Sequence, residues 1–262
     1  MPIAAMKYAN DPKFKYYMKI REQMSLALPL LAKVVNKQLS LQDYNLGYEH
    51  CVAFGETCKF NYDFMSKLVL NNNGLTDESL SMLLIGLQHM YTISLVDIRR
   101  NQIGCKSVRL LTDFMMRRPP KHLQVLRIID CNMDHAATYL LLQMLFENAK
   151  LRTFSLVNAS FNERNEKALV DYLRFSQALR ELDLSWNNIT QRTYIEILKV
   201  IKENNNLLML NLSHNQLIID PKSFATEEGQ LIKQEKMARF TDLCHKEKAL
   251  NRSIRKQNRN LS

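Results

Sequence analysis

Apolar positions along this chain follow two alternating rhythms. In LRELDLSWNNI, Leu179, Leu182, Leu184 and Ile189 frame a short L-x-L core with Asn187 just beyond it. The same frame returns at Leu207–Leu210–Leu212–Asn215–Leu217, and upstream at Leu151–Phe154–Leu156–Ala159–Phe161. It appears again at Leu123–Leu126–Ile128–Cys131–Met133, Ile93–Val96–Ile98–Asn101–Ile103 and Met65–Leu68–Leu70–Asn73–Leu75. The residues in the asparagine position are 73, 101, 131, 159, 187 and 215, so the steps are 28, 30, 28, 28 and 28. A weaker copy, Leu39–Leu41–Tyr44–Leu46, precedes them. Six matches in one register mark an internal repeat rather than chance. Alternation over L-x-L predicts a short strand with Leu184 and its equivalents inward, and the intervening residues and Ser185 outward.

Between these cores the period changes to that of a helix. Leu80, Leu83, Leu84 and Leu87 fall at i, i+3, i+4 and i+7, as do Ala137, Leu140, Leu141 and Met144, and Tyr194, Ile197, Leu198 and Ile201. Thr76, Asp134, Asn162 and Thr190 stand at one repeat offset just before these stretches, and each is a good N-cap. The asparagine position is expected to turn the chain and to bond backbone groups of the neighbouring repeat, forming a ladder through the stack. Cysteine serves there too, which accounts for Cys131. Ala159 and Tyr44 cannot make those bonds, so the ladder is expected to be weaker in their repeats.

These motifs resemble leucine-rich repeats of the ribonuclease-inhibitor class, LRELDLSWNNIT followed by LLMLNLSHNQL above all. The resemblance implies an α/β solenoid, or horseshoe, of about seven repeats near 28 residues, with a parallel concave sheet and convex helices. Three segments are expected: an N-terminal helical cap over 1–38, the solenoid over 39–217, and a capping segment with a basic helix over 218–262. In the last, Leu231, Phe240, Leu243, Cys244, Leu250 and Ile254 give a sparse apolar stripe among many lysines and arginines. That helix is either a solvated cap or an arm that docks on an acidic surface.

Charge and cysteine usage narrow the setting. Thirty-six Lys and Arg against 26 Asp and Glu leave a formal +10, which favours a protein partner with an acidic surface. Five cysteines, an odd number without a C-x-x-C pair, suit a reducing compartment rather than a disulfide framework. No apolar run reaches the roughly 18 residues a membrane span needs. The N-terminus lacks a signal-peptide core, and Asp11 and Glu22 argue against a mitochondrial presequence. A cytoplasmic location is therefore expected, with a mitochondrial one less favoured.

The outward strand positions are where a partner site is expected, since the fold asks nothing specific there. They offer Arg99, Arg100, Arg127, Arg152 and Arg180, with Asp183, Trp186 and His214 in the last two repeats. Arginines on successive strands are expected to stack and repel one another, with Asp97, Asp130, Glu181 and Asp183 partly offsetting them. Trp186, the single tryptophan, either anchors a partner or covers the edge of its neighbour. Nucleotide-binding, serine-hydrolase and zinc-protease motifs are absent, and the six histidines show no metal-ligand spacing. The expectation is a non-enzymatic scaffold without cofactor or metal, a subunit of a multiprotein complex, with nucleic acid unfavoured.

What the resemblance implies about function is broader. The class includes cytoskeletal and ciliary scaffolds, among them the leucine-rich-repeat subunit of the dynein regulatory complex of the axoneme. Abundant Asn and Lys, with NNN at 71–73 and 204–206, fit an AT-rich protist genome, and many such organisms are ciliated. The alternatives are a GTPase activator of the Ran-activating kind, an actin-capping regulator like tropomodulin, and a mitochondrial assembly scaffold. The first departs from its family by carrying a basic tail where that family has an acidic one.

Overall fold

A computed structural model describes residues 27, 29–58, 65–90, 92–116, 123–146, 150–203 and 206–215. The chain divides into two units, 1–216 and 217–262, and the described residues belong to the first. The basic helix, and all of the N-terminal cap before Ala27, therefore lie outside the described residues.

The L-x-L cores form strands as their alternation requires. After a short β1 (Val34–Val35) come β2 (Gln38–Gln42), β3 (Lys67–Asn71), β4 (Leu95–Arg99), β5 (Val125–Ile129), β6 (Thr153–Val157), β7 (Glu181–Asp183) and β8 (Met209–Asn211). They make one open sheet in sequence order, with β2 to β8 parallel and β1 antiparallel on the edge of β2. Between strands run α1 (Tyr48–Cys58), α2 (Asp77–Leu87), α3 (Cys105–Met116), α4 (His135–Leu145), α5 (Glu163–Phe175) and α6 (Gln191–Glu203). This is the expected solenoid of parallel strands and helices, a strand order that short crossovers through helices permit.

The inward residues behave as one core. Leu39, Leu68, Leu70, Val96, Ile98, Leu126, Phe154, Leu156 and Leu184 are essentially inaccessible, and so are Leu80, Leu83, Leu84 and Leu87 of α2. Two expectations need correction. Ser185 is buried rather than outward, because its N–H and hydroxyl both turn onto Asp183 Oδ1 at 3.0 and 2.8 Å. In α6 the buried stripe is Thr193, Ile197 and Val200, whereas Tyr194 and Leu198 are only half-buried. The stripe is thus rotated from the sequence reading, and it takes a threonine that hydrophobic counting passes over.

The helices start as their caps dictate. The side chains of Thr76, Asp134, Asn162 and Thr190 accept from the N–H of Ser79, Ala137, Asn165 and Thr193, respectively. Helix α3 has Gly104 at that offset and no side chain to offer. Asp77 of the preceding helix caps it instead, its Oδ1 accepting from Gly104 and Ser107 N–H at 2.9 Å. A Cβ on Gly104 would lie 2.6 Å from that carboxylate, so the glycine is what lets the cap cross between repeats. Burial pushes the Asp77 carboxyl up, but the hydrogen bonds from Ser107, Gly104 and Lys106 outweigh it and hold the pKa below its ordinary value. Glu166, 4 % exposed, caps α6 likewise, accepting from Thr190 N–H and from the hydroxyls of Thr190 and Thr193.

Candidate functional site

The ends of the strands carry two parallel columns of turn residues, and together they build the rim. In the first column Asp43, Asn72, Arg100, Asp130, Asn158, Trp186 and His214 all have φ between 50° and 63°, in the left-handed region. Each of the first six sends its N–H across to a carbonyl of the next repeat, as Asn72 does to Arg99 and Trp186 to Ser213. Asn and Asp tolerate this conformation because a short polar side chain adds little strain; a bulky aromatic does so rarely.

The second column is the asparagine ladder. Asn101 Oδ1 accepts from Asn73 N–H and Leu75 N–H, and its Nδ2 donates to Leu70 O. Asn215 does the same for Asn187 N–H, Ile189 N–H and Leu184 O. Cys131 keeps part of the pattern. Burial pushes its thiol up to about 11, so at neutral pH it stays protonated and donates to Ile98 O at 3.4 Å. Ala159 keeps none of it, as expected for that repeat. The Met133 N–H, deprived of the acceptor that Leu75 and Ile189 have, turns back onto Cys131 O at 2.8 Å. Tyr44, the other substitution, still receives help, since its N–H donates to Asn73 Oδ1.

At the Ala159 repeat the rim is open. A depression of about 400 Å³ lies between the strand ends of three repeats, walled by Asp130 and Asn132 on one side and Trp186 and Asn188 on the other. Cys131 and Ala159 form part of its lining. Trp186 is 57 % exposed and stacks on His214, with ring centroids 4.0 Å apart and planes within 16°.

The sequence-predicted residues divide between the rim and the sheet face, and the arginines do not form one stacked column. Register puts Asp97, Arg127, Ser155 and Asp183 in one row and Arg99 in the next, while Arg152 and Arg180 precede the first strand position. Arg99 and Arg127 instead converge on buried Asp97. Arg99 binds it through two bonds of 2.7 Å, and Arg127 approaches to 3.7 Å. The Asp97 hydrogen bond outweighs burial and raises the Arg99 pKa further. Arg180 donates to Asn206 O at 3.0 Å, Arg100 reaches Asp130 at 4.0 Å across the rim, and Arg152 is exposed. Asp183 is spent on Ser185. The repulsion anticipated from sequence is thus largely absorbed, and the arginines of this set that stay exposed are Arg152 at a strand start and Arg100 on the rim.

Sequence reasoning passed over Asn132, Asn158 and Asn188 on the rim. The signal that leads to them is Ala159 itself, a residue too small for its place in the ladder. Among the described residues no three His, Cys, Asp or Glu side chains are grouped to hold a metal ion, and no helix is long and apolar enough to cross a membrane. Cys51 and Cys58 are buried thiols whose pKa burial pushes up to about 12.

Comparison with known proteins agrees with the repeat. Family descriptions for leucine-rich repeats match residues 175–191 and 206–226. NACHT, LRR and PYD domains-containing protein 5 of Mus musculus is 28 % identical over 182 residues, 69 % of this chain and 16 % of that protein. The human NACHT, LRR and PYD domains-containing protein 14 is 26 % identical over 200 residues, 75 % of this chain and 18 % of that one. The chain therefore spans less than a fifth of these relatives' length. Among solved structures, actin-binding site 2 of leiomodin-1 superposes with a TM-score of 0.36 at 14 % identity, covering 79 % of this chain and 96 % of that one. The C-terminal domain of Caenorhabditis elegans tropomodulin gives 0.36 at 13 %, covering 78 % and 99 %. The chain carries leucine-rich repeats, a fold whose families are generally interaction modules.

Proposed function

We propose that this chain is a non-enzymatic docking platform, a structural subunit of a larger cytoplasmic assembly such as the ciliary axoneme, and that it engages its protein partner through the strand-end rim around Trp186. One observation carries the docking reading. Trp186 occupies a left-handed position, φ 63°, that Asn or Asp fills in four other repeats, and it does so while more than half exposed. The turn needs no indole, since Asn or Asp fills it elsewhere, and beyond its stack on His214 much of the ring faces solvent, as an interface anchor does. Arg152 and Arg180 at the strand starts, with Lys67 exposed on β3, favour an acidic surface on the partner. The axonemal setting rests on the class-level resemblance and on the basic charge.

The test is the exchange Trp186→Asn, which gives the turn the residue its conformation prefers. The tagged full chain and the variant are used to capture partners from the native cell, with melting temperature as the control. The docking reading expects the variant to melt no lower and the main partner to be lost, by about 2 kcal/mol or some thirtyfold in affinity. Undiminished capture by a folded Trp186→Asn would reject it.

A further inference from the structure

The gap at Ala159 has the donor–acceptor pattern of the side chain it lacks. In the neighbouring repeats the ladder residue does two things: its oxygen accepts a backbone N–H of the preceding repeat, and its NH2 group donates to a strand carbonyl there. Asn187 does so with Ala159 N–H and Leu156 O, and Asn101 with Asn73 N–H and Leu70 O. Counting back through the same register, an asparagine at 159 would accept from Cys131 N–H and donate to Ile128 O. A methyl group can do neither.

The position is also reachable. Asn73, Asn101, Cys131 and Asn187 are at most 6 % exposed in the ladder, whereas Ala159 and its neighbours Ser160 and Phe161 are half-buried and line the open depression. About 400 Å³ is room for a short stretch of chain, within the usual size of a ligand cleft. The required complement is one acceptor and one donor spaced as the O and N of a carboxamide are in the other rungs. A carboxylate supplies only acceptors and an ammonium only donors, whereas a primary amide supplies both from one side chain at that spacing.

From this we propose that the Ala159 gap is a receptor notch for the side-chain amide of an asparagine or glutamine in the partner polypeptide, which completes the ladder from outside. The proposal rests on the docking reading above and names the group that enters the rim. Trp186 then covers the segment bearing the amide, and Asn158 and Asn188 face its backbone.

The test uses amide NMR spectra of the full chain titrated with N-acetylasparagine methylamide, and with the aspartate and leucine analogues as controls. The notch predicts shifts at the Cys131 and Met133 amides with the asparagine compound, and at least about tenfold weaker responses with the other two, since the aspartate analogue loses the donor bond and the leucine analogue loses both. In Ala159→Asn the internal amide fills the notch, so the response disappears while hydrogen exchange at Cys131 and Met133 slows about tenfold. Ala159→Val, which fills the space without polar atoms, abolishes the response without slowing exchange. Absence of any asparagine response, an equal response to the leucine analogue, or a response that persists in both variants overturns the notch. If the notch fails in this way while Trp186→Asn still loses the partner, the docking reading survives without it.

Discussion

The stretch from β2 to β4 and the stretch from β5 to β7 are built from one repeat yet are closed to different degrees. In the first, Asn73 and Asn101 are both present and buried, and α1 and α2 touch backbone to backbone where Gly55 meets Gly86. A Cβ on Gly86 would fall 2.3 Å from Gly55 Cα. In the second, Cys131 and Ala159 follow one another in the ladder, buried polar atoms that include Thr138 Oγ1 and Asn165 Oδ1 have no hydrogen-bond partner, and the rim opens into a depression. The difference teaches that the repeat frame tolerates a missing ladder residue as long as strands and helices still pack.

The comparison can be broken hardest at the closed end. Gly86→Ala forces two helix backbones apart and is expected to cost about 3 kcal/mol, lowering the melting temperature by roughly 10 °C. Thermal denaturation followed by circular dichroism checks it, and a shift within error of wild type would show that α1 and α2 are not in backbone contact. Next comes Asn101→Ala, which copies the Ala159 gap into the intact stretch. It strips Asn73 N–H, Leu75 N–H and Leu70 O of their partner at once and should cost about 2–3 kcal/mol in chemical denaturation.

The cross-repeat cap gives a smaller, pH-dependent effect. Because the Asp77 carboxyl is held below its ordinary value in the folded chain, it contributes stability that is present above pH 4 and is lost as the pH falls through the folded value. Asp77→Asn should therefore flatten the acid limb of the stability–pH profile, at a cost of about 1 kcal/mol at neutral pH. An unchanged acid limb would remove Asp77 from the account. The smallest expected change is a gain: Ala159→Asn should stabilise by about 1 kcal/mol, since one side chain satisfies two backbone groups of the preceding repeat.

Much of this was legible in the chain before any coordinates. The L-x-L spacing located the strands, the offset of Thr76, Asp134, Asn162 and Thr190 located the helix starts, and the small residue at 159 marked the weak rung. What periodicity does not carry is register between repeats. Arg99 and Arg127 look like neighbours in a basic row, and only the pairing of Ile98 with Ile128 and Asp97 with Arg127 shows that both converge on one buried aspartate. The same holds for Asp77, which reads as a dipole-compensating acid on its own helix until Gly104 of the next repeat is brought beneath it. Trp186 was visible as an exposed aromatic, but its left-handed turn and its stack on His214 of the next repeat are properties of the folded backbone.

The claim on which the rest depends is that the ladder is open at one rung, and hydrogen–deuterium exchange of the native chain, resolved to single amides, tests it directly. The account predicts strong protection at Asn73, Leu75, Asn187 and Ile189, whose N–H groups are held by an asparagine of the next repeat, and weaker protection at Cys131, which lacks that acceptor, and at Met133, whose N–H has only the tight turn back to Cys131 O. Protection at Cys131 and Met133 equal to that of the other four would mean the rung is closed after all, and would contradict it.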